Sequence, residues 1–179
     1  LAEDGADGWN IERVRSRFFG QPVVLIGWAA RTQGLVVPPG NPLGLAAVAD
    51  LKGRRVIARQ RQAGAYVLLQ RLLETAHVAA DALKLVDPPA LTESDVAAAV
   101  AEGRADAGLA IAAVAKEYRL GFVPLITERY DLLVWRQAYF GEGLQRLTAF
   151  MRTPRFAERA AILTGYDVSA AGLVRYNAP

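Results

Sequence analysis

The chain has 179 residues, 53% of them hydrophobic, with 21 basic and 18 acidic side chains and a net charge of +3. That is enough for one globular domain or two small interlocked lobes, and its charges are interspersed, unlike the basic stripe a nucleic-acid surface needs. No cysteine and a single histidine exclude disulfides, thiolate nucleophiles, sulfur-bound zinc and most histidine metal sites.

After a polar start, residues 22–28 (PVVLIGW) form a β-branched apolar run of strand length, and residues 34–37 form a second that ends at Pro38 and Pro39. The two read as neighbouring strands. Pro38, Pro39, Gly40, Asn41 and Pro42 fix extended or turn geometry and mark a crossing point. Residues 54–58 form a short strand, and residues 65–76 carry Leu68, Leu69, Leu72 and Leu73 at helical spacing. Residues 83–86 are a further strand. Thr92 and the acidic residues after it match a capping box, opening a helix that runs to about Glu102, with Gly103 as the left-handed stop. A small, apolar, buried strand over 105–111 and a helix over 112–118 follow. Residues 122–126 and 130–135 are two more strands, and helices over 144–151 and 155–163 are separated by Pro154.

Alternation of strand and helix predicts an α/β fold with a largely parallel sheet. The order of the elements places one block between two halves of another layer. Residues 1–40 are expected to be part of a first lobe, 41–120 a second lobe, and 121–179 the return to the first. The crossings fall near 37–41 and 118–123.

Several stretches, in their order, carry a resemblance: 31–42 (RTQGLVVPPGNP), Asp50 with Leu51, Arg59 to Arg61, 96–108 (VAAAVAEGRADAG) and 128–132 (ERYDL). Over roughly 20–168 the chain resembles the two-lobed, type II periplasmic-binding-protein-like domain of the molybdate-binding group. That domain is similar to the substrate-binding domain of LysR-type regulators and occurs fused to helix-turn-helix segments or molybdopterin-biosynthesis proteins. The resemblance implies that the N-terminal part of the first lobe is absent, consistent with a first residue, Leu1, that is not methionine. Where the family has a glycine-serine-glycine-threonine-arginine run, this chain has Gln62, Ala63, Gly64, Ala65 and Tyr66. Where it has a histidine at the next helix, this chain has Glu93.

The loop from Arg59 through Arg61, Gln62, Ala63, Gly64 and Ala65 to Tyr66 is the foremost pocket candidate, because it joins a strand end to a helix start whose unpaired N–H groups attract anions. The alternative is that its arginines are solvated or pair with Asp50 and Glu74. Arg31, Thr32 and Gln33 serve either as polar ligand contacts near an inter-lobe cleft or as an exposed hairpin turn. Thr92 and Glu93 serve first as helix-start chemistry, then as ligand contacts. Tyr130 offers a hydroxyl to the cleft, with structural ion pairing of 128–131 as the alternative. His77 reads as a helix-end residue, and Trp28, Trp135 and Tyr66 as core or hinge packing. Asp106 stands alone in its apolar strand.

Neither a nucleophile elbow, a P-loop, a dinucleotide fingerprint nor metal spacing is present. The expectation is therefore a non-catalytic small-ligand sensor without cofactor or metal, for molybdate, another oxyanion or a pterin-like molecule, within a regulator or a molybdopterin-biosynthesis fusion. The alternatives are the solute-binding component of an ABC-type transporter and a ligand-free scaffold. The segment is expected to touch neither nucleic acid nor membrane, to be cytoplasmic (alternatively periplasmic), and either to pair with another copy as a homo-oligomer through an uncovered first-lobe surface or to cover that surface with its own termini.

Overall fold

A computed structural model describes residues 10–178, so the polar start before Asn10, Leu1 included, lies outside the described residues. The chain divides into two compact units. One comprises the described residues of Leu1–Arg31 together with Thr127–Pro179, and the other comprises Thr32–Ile126.

Two strands of 15 residues each, β1 (Val23–Val37) and β5 (Gly121–Trp135), carry the chain through both boundaries. This corrects the expectation of four separate strands there. Residues 29–33 (AARTQ) contain no glycine, proline, asparagine or aspartate to turn the chain, so Arg31, Thr32 and Gln33 lie inside a strand and form no hairpin. At Gly34 an added Cβ would stand 2.2 Å from the Val123 carbonyl oxygen, so glycine here permits close backbone approach and does not mark a bend. Pro38, Pro39 and Gly40 end β1 in a turn closed by Asn41 N–H donating to Pro38 O at 2.9 Å. The units therefore divide within the strands, at Arg31/Thr32 and Ile126/Thr127, and not at the proline turn.

In the unit Thr32–Ile126, β2 (Arg55–Ile57) pairs in parallel with β3 (Lys84–Leu85) and with β4 (Ala107–Ile111). The end of β1 runs antiparallel to β4, Gln33 opposite Ile111 and Val36 opposite Gly108. The full hydrogen-bonded order is β3-β2-β4-β1-β5, with two short strands also on β1. The sheet is thus mixed, not largely parallel, because only the strands joined by helical crossovers run parallel. Pro124 interrupts donation on β5, an edge strand, where this is tolerated.

Three helices follow those crossovers: α2 (Gly64–Thr75), α3 (Glu93–Ala101) and α4 (Ala112–Glu117), after α1 (Ile11–Arg17) earlier in the chain. Leu68, Leu69 and Leu73 of α2 are buried as their spacing requires and join Val56, Leu83 and Leu109 in the core. A Cβ on Gly108 would meet Val96 Cγ1 at 2.4 Å and Ile57 Cγ2 at 2.6 Å, so α3 lies directly on β4. Gly103 ends α3 with φ +71°, as expected. Asp106 is not alone. Its carboxylate accepts from Arg55 Nη2 at 2.6 Å and from Arg55 N–H at 2.8 Å, joining the starts of β4 and β2.

In the other unit, α1, α5 (Arg136–Tyr139), β6 (Tyr166–Asp167) and β7 (Val174–Asn177) were not expected. They are too short or too polar to show a period. β6 and β7 both pair antiparallel with β1, and α1 sets Val14 against Val23, Leu25 and Ala178. The expected helices appear as α6 (Glu142–Met151) and α7 (Pro154–Ala161), with Pro154 as a first-turn residue of α7 under a Thr153 cap. Trp135 is 54% exposed and so is not core packing.

Candidate functional site

Parallel strands deliver their chain ends to one edge, and in open α/β sheets that carboxyl edge is where helix starts and loops gather around ligands. In the unit Thr32–Ile126 this edge holds the exits of β2, β3 and β4 and the starts of α2, α3 and α4. The structure brings Arg59, Arg61, Gln62, Ala63, Gly64, Ala65, Tyr66, Thr92 and Glu93 to it. Gln33, opposite Ile111, and Thr32 beside it stand at the same end of β1. Gln33 is 1% exposed.

The three helix starts differ in who satisfies them. Thr92 Oγ1 accepts from Asp95 N–H at 3.0 Å, and the Asp95 carboxylate accepts from the N–H groups of Thr92 and Leu91 at 2.8 and 3.1 Å. These bonds, the Thr92 hydroxyl foremost, hold the Asp95 carboxyl below its ordinary value. The capping role expected of Thr92 is the one it fills. At the exit of β4, Glu93 Oε2 accepts from Ile111 N–H at 3.1 Å. At α2 the cap residue, Ala63, has no side-chain acceptor, no acidic residue occupies the first turn, and the space around Gly64 is open. The starts of α2 and α4 both lack a side-chain cap and a first-turn acid, and the one at α2 stands beside open space at Gly64, where its first-turn N–H groups are left to an outside acceptor.

Both arginines of the loop stand beside that start, in different states. Arg59 forms a bridge with Ala90 across the chain, donates through Nη2 to Leu91 O at 2.8 Å, and reaches Gln60 Oε1 at 3.4 Å. It pairs with neither Asp50 nor Glu74. Arg61 is exposed and has no hydrogen-bond or ion-pair partner among the described residues. Ala65 is buried, and Tyr66 packs against the unit's core, so the outward face of the loop is made by Arg61, Gln62 and Gly64.

Arg31 and Tyr130 belong to the other unit. Arg31 Nε donates to Glu128 Oε1, and its guanidinium lies 5.0 Å from the Tyr130 ring centroid. Asp131 pairs with Arg175 at 3.1 Å, the two side chains 1% and 9% exposed. Glu128 and Asp131 are thus held in ion pairs, and Tyr130 lies under the Arg31 guanidinium. Among the described residues, no group of three or more His, Cys, Asp or Glu is placed to hold a metal ion.

The profile of the PBP superfamily domain matches residues 1–152. The chain belongs to that family. It is 31% identical over 170 residues to the uncharacterised protein YvgK of Bacillus subtilis (strain 168), covering 93% of this chain and 54% of that protein, so it spans about half the relative's length. The PBP-like fold is shared with the periplasmic aliphatic sulphonate binding protein SsuA of Escherichia coli, at TM-score 0.55 and 23% identity over 89% of this chain and 58% of that one. It is shared too with the regulatory domain of CcmR from Synechocystis PCC6803, solved in complex with 2-PG, at TM-score 0.60 and 12% identity over 78% of this chain and 76% of that one. PBP-like members are small-ligand-binding proteins. Among the described residues, no helix is long and apolar enough to cross a membrane.

Proposed function

We propose that this PBP-like chain is a non-catalytic ligand-binding sensor domain that takes an anionic group at the start of α2. The observation that carries the reading is the open first turn at Gly64, which has no side-chain cap among the described residues and is flanked by the exposed guanidinium of Arg61, without a partner among the described residues. Backbone N–H groups and a positive dipole end favour an anion there, and Arg61 adds a forked donor. Arg59, Gln62, Ala63, Ala65 and Tyr66 shape the loop. Thr32, Gln33, Thr92 and Glu93 complete the same edge.

Between an oxyanion such as molybdate and a pterin-like molecule, Glu93 favours the second. Its Oε2 is held by Ile111 N–H, and its Oε1, without a partner among the described residues, is an acceptor suited to ring N–H donors. A bare oxyanion meets only repulsion from it. The sensor role, in a regulator or a molybdopterin-biosynthesis fusion in the cytoplasm, is supported by likeness to a regulatory domain over 76% of that domain's length. Likeness to SsuA supports the solute-binding alternative over a smaller share, 58%. Titration calorimetry with molybdate, sulfate and a pterin is the test. Binding that Arg59→Ala and Arg61→Ala together leave unchanged overturns the assignment.

A further inference from the structure

The unit that contains the chain's C-terminal elements holds a cavity of about 270 Å³. Its wall is aromatic and aliphatic: Trp28 of β1, Phe156 of α7, then Ile162, Leu163 and Tyr166 on the way into β6. Trp28 and Phe156 meet edge to face at 5.6 Å, which fixes both rings. Ile162 and Leu163 are 65% and 48% exposed, so the apolar wall opens to solvent.

One cation lines this wall, Arg159 in the last turn of α7. Its neighbours in the unit have employment: Arg152 donates to Gly172 O, Arg146 pairs with Glu142, and Arg175 with Asp131. Arg159 has no hydrogen-bond or ion-pair partner among the described residues. An apolar hollow near the lower size limit of small-molecule sites, with a single forked donor in its lining, selects a molecule with an apolar body and one anionic head.

We propose that this cavity is a second binding site, for an amphipathic organic anion. The alkyl or aryl body lies against Trp28, Phe156 and Leu163, and the carboxylate or sulfonate head pairs with Arg159. Neither an inorganic anion, which has nothing to set on the apolar wall, nor a neutral alcohol, which gains nothing from Arg159, satisfies both halves.

The test uses the full chain and octanoate, followed by Trp28 fluorescence and calorimetry, with acetate and octanol as single-feature controls. The expected result is saturable octanoate binding whose fluorescence change disappears in Trp28→Phe, no response to acetate, and about tenfold weaker octanoate binding in Arg159→Gln with octanol binding unaltered. Leu163→Trp, at an exposed position, narrows the cavity and weakens both octanoate and octanol while circular dichroism stays native. No saturable octanoate binding up to millimolar concentration overturns the proposal, as does Arg159→Gln binding octanoate as wild type does. Light scattering that shows a dimer dissociated by Leu163→Asp also overturns it, since the wall then belongs to an interface between copies.

Discussion

Glu93 Oε2 accepts a hydrogen bond from the backbone N–H of Ile111 at 3.1 Å, tying the start of α3 to the exit of β4. The carboxylate is thereby fixed on the edge where the loop 59–66 begins its helix, and no cation neutralises it among the described residues. In Glu93→Gln the amide oxygen preserves the bond to Ile111 and the negative charge is removed. Molybdate and sulfate should then bind about three- to tenfold more tightly, the size expected for relief of one like-charge contact near a protein surface. Calorimetry on the two proteins reads this directly, and equal affinities would mean that Glu93 does not face the ligand.

Arg61 and Arg59 should separate binding from stability. Arg61 is exposed and unpaired among the described residues, so Arg61→Ala should weaken anion binding by about tenfold, the loss of a charge-assisted bond, while the melting temperature stays within a degree or two. Arg59 holds the Leu91 carbonyl at 2.8 Å, so Arg59→Ala should lower both. Rising ionic strength should mimic Arg61→Ala. A wild-type affinity indifferent to salt argues against the charged loop as the site.

The local signals in the sequence were strong where one residue type had one physical use. Thr92 with the acidic residues after it reads as a cap, Gly103 as a left-handed stop, and Leu68, Leu69, Leu72 and Leu73 as a helix, and all three stand so in the structure, with Leu72 only partly buried. Element ends were legible for that reason. Strand continuity was not, because residues 29–33 and 127–129 are polar enough to look like turns, yet they lie within β1 and β5. Pairing across sequence is invisible to periodicity. Nothing around Asp106 predicts Arg55 as its partner, and nothing around Arg31 predicts Glu128. β6 and β7, two and four residues long, form because β1 offers an edge. The loop 59–66 was legible as a strand-to-helix junction, where backbone donors go unsatisfied.

Gly34→Ala should test the close approach of β1 and β5 inside the unit Thr32–Ile126. The new Cβ would stand 2.2 Å from Val123 O and 2.7 Å from Phe122 Cζ. The ring can move, but the carbonyl cannot without disturbing the strand. Destabilisation of about 3 kcal/mol or more is expected, at or above the usual range for an overpacked core. Denaturant melts of the variant provide the measurement. A loss below about 0.5 kcal/mol, a typical surface effect, would show the strands further apart.

Asp106 supplies a pH dependence with a defined sign. Hydrogen bonds from the Arg55 side chain and then its N–H hold the carboxyl below its ordinary value against a smaller desolvation effect. A depressed folded pKa gives stability that is present above the unfolded value, about 3.9, and is lost as pH falls through the folded one. Asp106→Asn should therefore melt below wild type at pH 6, and the gap should close as pH drops under about 4. A gap constant from pH 6 to pH 2.5 would assign the difference to packing instead.

Asp131 and Arg175 form the most enclosed ion pair among the described residues, at 3.1 Å with side chains 1% and 9% exposed, and Asn10 Nδ2 donates to the same carboxylate at 2.9 Å. Such a pair is costly to desolvate, so its value lies less in net stability than in the penalty for breaking it from one side. Asp131→Ala leaves the Arg175 guanidinium enclosed without this counter-ion and should cost about 3–5 kcal/mol. The double variant Asp131→Leu with Arg175→Met removes both charges at similar volume and should recover most of that loss, since isosteric apolar replacement of a buried pair is often neutral or stabilising. Chemical denaturation of wild type, single and double variants closes the cycle. If Asp131→Ala unfolds within about 1 kcal/mol of wild type, the range of an exposed pair, then Asp131 and Arg175 are solvated in solution and do not hold β5 to β7.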